Sequence, residues 1–150
     1  MISVQRTDSA HSDFVQLVRL LDADLAGRDG SEHAFYAQFN AIDRLRHVVV
    51  AFEGGAAVGC GAFKEFDQAS VEIKRMYTLP SHRGRGVASL VLRELEAWAA
   101  ESGFRRCVLE TGKKQPEAIA LYTRRAYRAI PNYGQYAGVE NSVCFEKVLE

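Results

Sequence analysis

The fold is decided by residues 71–88, VEIKRMYTLPSHRGRGVA, which predict a strand, a glycine-rich turn and the start of a helix in immediate succession. The first nine residues alternate between a mixed face and a mostly apolar one. The apolar face comprises Val71, Ile73, Tyr77 and Leu79, with Arg75 as its exception. Pro80 cannot donate to a sheet ladder, so we expect the strand to end there.

Two glycines follow this strand in a short turn. Gly84 and Gly86 permit positive φ and a close approach of the backbone to a ligand. Apolar residues then recur at helical spacing, so the free N–H groups of the first helical turn face the loop. That helix end, together with Arg83 and Arg85, suits a pyrophosphate. The alternative is an ordinary tight turn with exposed arginines.

Composition limits the possibilities for the whole chain. With 150 residues, 47% of them apolar, the sequence predicts one domain over residues 1–150. The 19 basic and 19 acidic residues give a formal net charge of zero, which argues against nucleic acid or an acidic membrane as a partner. No apolar run has membrane-spanning length, and the polar N-terminus does not resemble a signal peptide. We therefore expect a cytoplasmic protein.

The three cysteines are widely spaced. Cys60, Cys107 and Cys144 lie in apolar runs that look like strands. This pattern predicts buried, reduced thiols and no metal site. A catalytic thiol is the alternative.

The remaining pattern predicts a mixed α/β (α+β) fold. Ser12 is a candidate cap for a first helix that ends near Gly27. A second helix is expected from about Ser31, and its apolar stripe comprises Phe35, Phe39, Ile42 and Leu45. Strands are predicted at about 2–6, 47–52, 57–66, 71–79, 107–111 and 142–148, with helices from 87 and over 115–125. The element order is βααβββαβαββ, which implies one parallel crossover in a mostly antiparallel central sheet.

Two motifs in register resemble the GCN5-related N-acetyltransferase (GNAT) superfamily. The first is Arg83-x-x-Gly86-x-Ala88, which is similar to the family's coenzyme A signature. The second is Gln115-x-x-Ala118-x-x-x-Tyr122 followed by Ala126-Tyr127. The sequence departs from the family in two places: Gln115 stands where many members have Asn, and Ala126 where most have Gly. Since Ala disfavours positive φ, we expect strain at that helix end.

The resemblance implies a GNAT-like acyl-CoA N-acyltransferase fold whose fourth and fifth strands splay apart, with acetyl-CoA in the gap. The pantetheine arm would pair with the main chain at Met76, Tyr77 and Thr78 and contact Gln115. The diphosphate would bind the N–H groups of the loop and helix start, at Arg83, Gly84, Arg85, Gly86, Val87 and Ala88. Direct transfer to an amine without an acyl-enzyme is implied.

The resemblance also implies two catalytic roles. Glu72 is the leading candidate for the base, because it precedes the cofactor-binding segment on the same strand. A solvated or salt-bridged glutamate is the alternative. Tyr122 matches the family's tyrosine that protonates the departing thiolate, and packing is its alternative role.

Substrate contacts are less specific. Tyr133 and Tyr136 lie in the polar, glycine-rich stretch 131–138, and Tyr36 lies in the helical region that lines the acceptor side in relatives. A surface hairpin and ordinary helix polarity are the alternatives. We expect an N-acetyltransferase acting on a small-molecule amine. A protein or peptide acetyltransferase and a non-catalytic acyl-CoA-binding module are the alternatives, and residues 143–148 could form a homodimer contact.

Overall fold

The computed structural model describes residues 1–40 and 44–150, and it confirms the predicted element order. The strands are β1 (Ile2–Thr7), β2 (His47–Glu53), β3 (Ala56–Glu65), β4 (Ser70–Thr78), β5 (Arg106–Gly112), β6 (Arg128–Ile130) and β7 (Ser142–Val148). The α-helices are α1 (Ser12–Asp29), α2 (His33–Asn40), α3 (Val87–Glu101) and α4 (Pro116–Arg124). Short 3-10 turns lie at Gly30–Glu32, Pro80–His82 and Gly134–Tyr136.

Over the described residues these strands form one mixed sheet in the order β1-β2-β3-β4-β5-β7-β6. The β4–β5 pair is parallel and the other neighbouring pairs are antiparallel. The parallel pairing runs only from Ser70 opposite Arg106 to Glu72 opposite Val108. Beyond it, β4 stays with β3 and β5 stays with β7, so the two strands part and one edge of β4 is left open.

Helices cover both faces of the sheet. Apolar residues of α3 and α4, including Val91, Leu95 and Leu121, pack on one face. Phe14 and Leu17 of α1 pack on the other face. β2 lies between the two layers, which explains why its centre is a continuous β-branched run instead of an alternating pattern. No helix within residues 1–40 or 44–150 is long and apolar enough to cross a bilayer.

Gly61 lets α3 approach the sheet closely. A Cβ at this position would lie 2.4 Å from the Met76 sulfur and 2.9 Å from side-chain carbons of Leu95 and Val91. The absent side chain therefore sets how near the helix N-terminal half can come to β4, and with it the position of the glycine-rich loop.

A bulge in β4 overturns part of the predicted face pattern. Arg75 has a φ of 60°, and the register shifts so that Cys60 opposes Tyr77 while Ala62 opposes Lys74. The extra residue reverses the faces beyond it. Met76 therefore joins the α3 face, and Tyr77 packs on the α1 side, although the sequence placed it on the face of Val71.

The ends of the first two helices also differ from the predictions. The N-cap of α1 is His11, whose ring accepts from the Asp13 N–H at 3.2 Å, so the expected Ser12 cap is wrong. The helix continues to Asp29, and α2 begins at His33 after a 3-10 turn. In the predicted stripe of the second helix, the Phe39 side chain and Ile42 lie outside the described residues.

The cysteines occupy the sheet interior as predicted. Cys60, Cys107 and Cys144 are buried free thiols. Burial raises the pKa of Cys60 and of Cys107 to about 12, so neither forms a thiolate readily. Among residues 1–40 and 44–150, no group of three or more His, Cys, Asp or Glu side chains is arranged to hold a metal ion.

Candidate active site

The glycine-rich loop joins the open end of β4 to the N-terminus of α3. Gly84 and Gly86 have φ values of 77° and 82°, so the loop depends on a conformation that side chains disfavour. Gly86 is the N-cap of α3, and no side chain caps the helix there. The first-turn N–H groups, from Val87 onward, lack intrahelical acceptors by helix geometry and form a site for an anion.

The two loop arginines have different surroundings. Arg83 donates from Nε to the Thr78 carbonyl at 3.1 Å, and its guanidinium lies 5.7 Å from the centre of the Tyr77 ring. Arg85 instead pairs with Glu53 at 2.6 Å. The Glu53 carboxylate also lies 3.2 Å from His82. Arg83 therefore lines the open end of β4, whereas the Arg85 side chain is held on the β2 side.

The gap between β4 and β5 forms a cavity of about 600 Å³, within the size range of ligand sites. Its walls include the residues predicted to hold the cofactor, apart from Arg85: Met76, Tyr77, Thr78, Arg83, Gly84, Gly86, Val87, Ala88, Gln115 and Tyr122. Because β4 has no partner on this side beyond Glu72, its main chain from Lys74 to Thr78 offers an edge on which an extended ligand can pair.

Helix α4 positions Tyr122 at the base of this cavity. The Tyr127 N–H donates to the Tyr122 carbonyl at 3.0 Å. This is the 6→1 hydrogen bond of a Schellman motif, which spans six residues at the end of the helix. Ala126 takes the left-handed position with a φ of 71°, where glycine is preferred, so the structure places the expected strain at this residue. Burial, with a contribution from the Glu110 charge, raises the pKa of Tyr122, so the phenol keeps its proton at neutral pH.

Glu72 lies in the cavity wall but is well supplied with partners. Its side chain is nearly inaccessible, with Tyr133 donating to Oε2 at 2.7 Å and the Lys64 ammonium 3.9 Å from Oε1. Burial is the largest cause that raises the pKa of Tyr133, and the charge of Glu72 is the second largest. Tyr133 thus contacts the site through Glu72 and does not line the cavity.

An aromatic cluster forms another part of the cavity wall. Tyr36 and Tyr136 line it and stack with ring centres 6.5 Å apart. Tyr136 is only 2% exposed, so the 131–138 stretch is not a simple surface hairpin. The stretch is held to the start of β7 by Asn132, whose amide donates to the carbonyls of Val139 and Ser142, each at 3.0 Å. The structure therefore places two of the three predicted substrate tyrosines in the cavity wall.

The sequence analysis missed Glu110, which lines the cavity from β5. Burial raises its pKa to about 7, an effect that hydrogen bonding from Ser142 and the charge of Lys74 partly offset. Its Oε2 is buried without a hydrogen-bond partner among the described residues. The available signal was a lone carboxylate in the apolar run 107–111, on the strand expected to border the gap.

Together these features combine an anion site, an open strand edge, a protonated phenol and several carboxylates in one cavity. The phenol can protonate a leaving group, and a carboxylate can accept a proton from a nucleophile. The cavity can thus hold an extended phosphate-bearing ligand and support group transfer to a second molecule that enters beside the aromatic cluster.

Comparisons with known proteins agree with this geometry. The model of the Acetyltransferase (GNAT) family matches residues 14–127. An IAA acetyltransferase from Azospirillum brasilense is 30% identical over 99% of this chain and 98% of its own length. An acyl-CoA N-acyltransferase structure from Klebsiella pneumoniae has a TM-score of 0.84 at 30% identity, covering 100% of this chain and 99% of that one. A GNAT family acetyltransferase from Elizabethkingia anophelis with acetyl-CoA bound shares the fold, with a TM-score of 0.70 at 15% identity over 99% and 98% of the two chains.

Proposed function

The chain belongs to the acetyltransferase (GNAT) family, whose members use acetyl-CoA, and on that premise we propose that it transfers the acetyl group directly to the amine of a small molecule. The observation that carries the proposal is the cavity between β4 and β5, which joins the α3 N-terminus to Tyr122 and the aromatic cluster. Each part of that cavity matches one part of the reaction.

The coenzyme would lie along the open edge of β4. Its diphosphate fits the N–H groups at Gly86, Val87 and Ala88, because a helix N-terminus stabilises an anion. Its pantetheine amides would pair with the main chain at Met76 to Thr78, and Gln115 lies on the opposite wall. Arg83 adds a positive charge at the loop, whereas the Arg85 guanidinium pairs with Glu53.

The chemistry would proceed by direct attack of the amine on the thioester carbonyl. The new N–C bond forms as the C–S bond breaks, and one of the cavity carboxylates, Glu72 or Glu110, receives the proton released from nitrogen. Tyr122 would donate its proton to the departing sulfur. No acyl-enzyme is needed, and the buried thiols Cys60 and Cys107 keep their protons at neutral pH.

A small acceptor is favoured because the end of the cavity lined by the aromatic cluster is formed by tightly packed side chains. Tyr36 and Tyr136 are 5% and 2% exposed, and Phe35, Ile130, Tyr133 and Val139 pack against them. An extended peptide would need an open groove across this end. A protein or peptide acceptor is therefore the second candidate.

The direct test measures free thiol release from acetyl-CoA with a panel of alkylamines, amino acids, polyamines and short peptides. We expect release with a small amine and little with peptides. Release with peptides alone would favour the second candidate. A protein that binds acetyl-CoA, releases no thiol with any member of the panel and responds to neither Tyr122→Phe nor Glu72→Gln would be a non-catalytic binding module.

The placement of the coenzyme has its own test. Gly86→Glu adds a negative charge at the diphosphate site, so we expect acetyl-CoA binding to be lost in calorimetry. Gly86→Ala is the matched control, because it carries the same strain at positive φ, about 1–2 kcal/mol, without the charge. Equal affinities in the two variants would contradict the placement.

A further inference from the structure

Several carboxylates line the cavity, and the two on the parting strands, Glu72 on β4 and Glu110 on β5, differ in their hydrogen bonding. Both oxygens of Glu72 already face partners: the Tyr133 hydroxyl donates to one at 2.7 Å, and the Lys64 ammonium lies 3.9 Å from the other. With a side chain only 4% exposed, Glu72 has little surface left for an incoming amine. These contacts suit a residue that holds Tyr133 and the 131–138 stretch in place.

Glu110 shows the opposite arrangement. Its Oε2 is buried and has no hydrogen-bond partner among residues 1–40 and 44–150. An unpaired buried carboxyl oxygen is unfavourable, and in a native structure it calls for an explanation. An acceptor amine bound in the cavity that Glu110 lines would bring a donor to this carboxyl group.

The surroundings of Glu110 connect it to the remainder of the cavity. The hydroxyls of Tyr36 and Ser142 lie 2.9 Å apart, and hydrogen bonding from Ser142 lowers the pKa of Glu110, which places the Ser142 hydroxyl near the carboxyl group. The charged groups that act on Glu110 are Lys74 and Glu72 from β4 and Asp29 from α1. The charge of Glu110 in turn acts on Tyr122.

We infer that Glu110, not Glu72, accepts the proton released by the acceptor amine, an assignment that rests on the proposed function. The nitrogen lone pair forms the N–C bond, the C–S electron pair leaves with sulfur, the N–H proton passes to Glu110 and the Tyr122 proton passes to the thiolate. Water then returns the proton from Glu110 to Tyr122. Glu72 is a positioning residue in this scheme.

The scheme couples the two proton transfers. Burial is the main cause of the raised pKa of Tyr122, and the charge of ionised Glu110 adds to it. Once Glu110 is neutral that effect disappears, so Tyr122 becomes a better proton donor when the thiolate departs. The raised pKa of Glu110, about 7, also suits a base that must take up and release a proton near neutral pH.

The test compares Glu110→Gln with Glu72→Gln, using acetyl-CoA and the best acceptor from the amine panel. Glu65→Gln, on the exposed end of β3, is the matched control. We expect Glu110→Gln to lower kcat by about 100-fold or more, the usual contribution of a general base. We also expect it to abolish the rise of kcat/KM with pH while leaving acetyl-CoA affinity within about twofold in calorimetry, because the variant removes only the proton acceptor. Glu72→Gln should keep that pH profile.

Three results would overturn the assignment. Activity of Glu110→Gln within about threefold of the parent would show that Glu110 is not the base, whichever residue is. An unchanged pH profile in Glu110→Gln, with the profile lost in Glu72→Gln, would assign the role to Glu72. A parent protein that binds acetyl-CoA but acetylates no amine would overturn the proposed function, and this assignment with it.

Discussion

Replacing Glu110 by Gln is expected to stabilise the protein, and increasingly so as the pH rises. The cause is burial, which raises the pKa of the Glu110 carboxyl from 4.5 to about 7 in the folded state. A carboxylate with a raised pKa destabilises the folded protein when it ionises, because the unfolded chain releases the same proton more easily. Glutamine has a similar shape and cannot ionise.

The size of this stabilisation follows from the pKa of Glu110 in the unfolded chain and in the folded protein. Between about pH 4.5 and pH 7 the folded protein binds more protons at this site than the unfolded chain, so the contribution of Glu110 to stability is full below this window and lost as the pH rises through it. One pKa unit corresponds to about 1.36 kcal/mol, so the variant should gain about 2 to 3 kcal/mol on the parent between about pH 5 and pH 8. Hydrogen bonding from Ser142 and the charge of Lys74 offset part of the burial effect, and the pKa of about 7 already includes both contributions.

The measurement is urea unfolding of the ligand-free parent and variant at several pH values across this window. The difference in the free energy of unfolding should be small near pH 5 and close to its maximum by about pH 8. Glu65→Gln should show no such trend, since Glu65 is exposed. A Glu110→Gln difference that is independent of pH would refute the reasoning, and so would a variant that becomes less stable than the parent at high pH.

Three further predictions concern the backbone and the loop. Ala126→Gly should raise the free energy of unfolding by about 1 kcal/mol, because glycine removes the strain of a left-handed residue; a loss of stability in urea unfolding would contradict this. Gly61→Ala should lower the free energy of unfolding by about 1–3 kcal/mol, because the new Cβ would lie 2.4 Å from the Met76 sulfur. An unchanged thermal midpoint would contradict the close packing. Arg85→Ala should change acetyl-CoA affinity by less than about threefold in calorimetry, since its guanidinium pairs with Glu53; a tenfold loss would place Arg85 at the phosphates.

The local features of the coenzyme site could be predicted because they depend on neighbouring residues. A strand that ends at Pro80, two glycines, and a helix that begins at Val87 place unpaired N–H groups at the loop whatever the remainder of the chain does. Similarly, Ala126 could be identified as a strained position because the helix end itself requires a left-handed residue there. The sequence also predicted Tyr36 and Tyr136 as substrate contacts, and both line the cavity.

The tertiary structure decided what depends on contacts between distant segments. The bulge at Arg75 lies where the register shifts beside Gly61 of the neighbouring strand, and Arg75 pairs with Asp22 on α1, so strand alternation alone misplaced Tyr77. Arg85 is held by Glu53, 32 residues earlier, which periodicity cannot reveal. The environment of Glu110 arises because β7 inserts beside β5 and brings Ser142 to it, while the parting of β4 and β5 opens the cavity beside it. Residue type and spacing determine local conformation, but burial and pairing across the sheet determine which carboxylate oxygen is left without a hydrogen bond among the described residues.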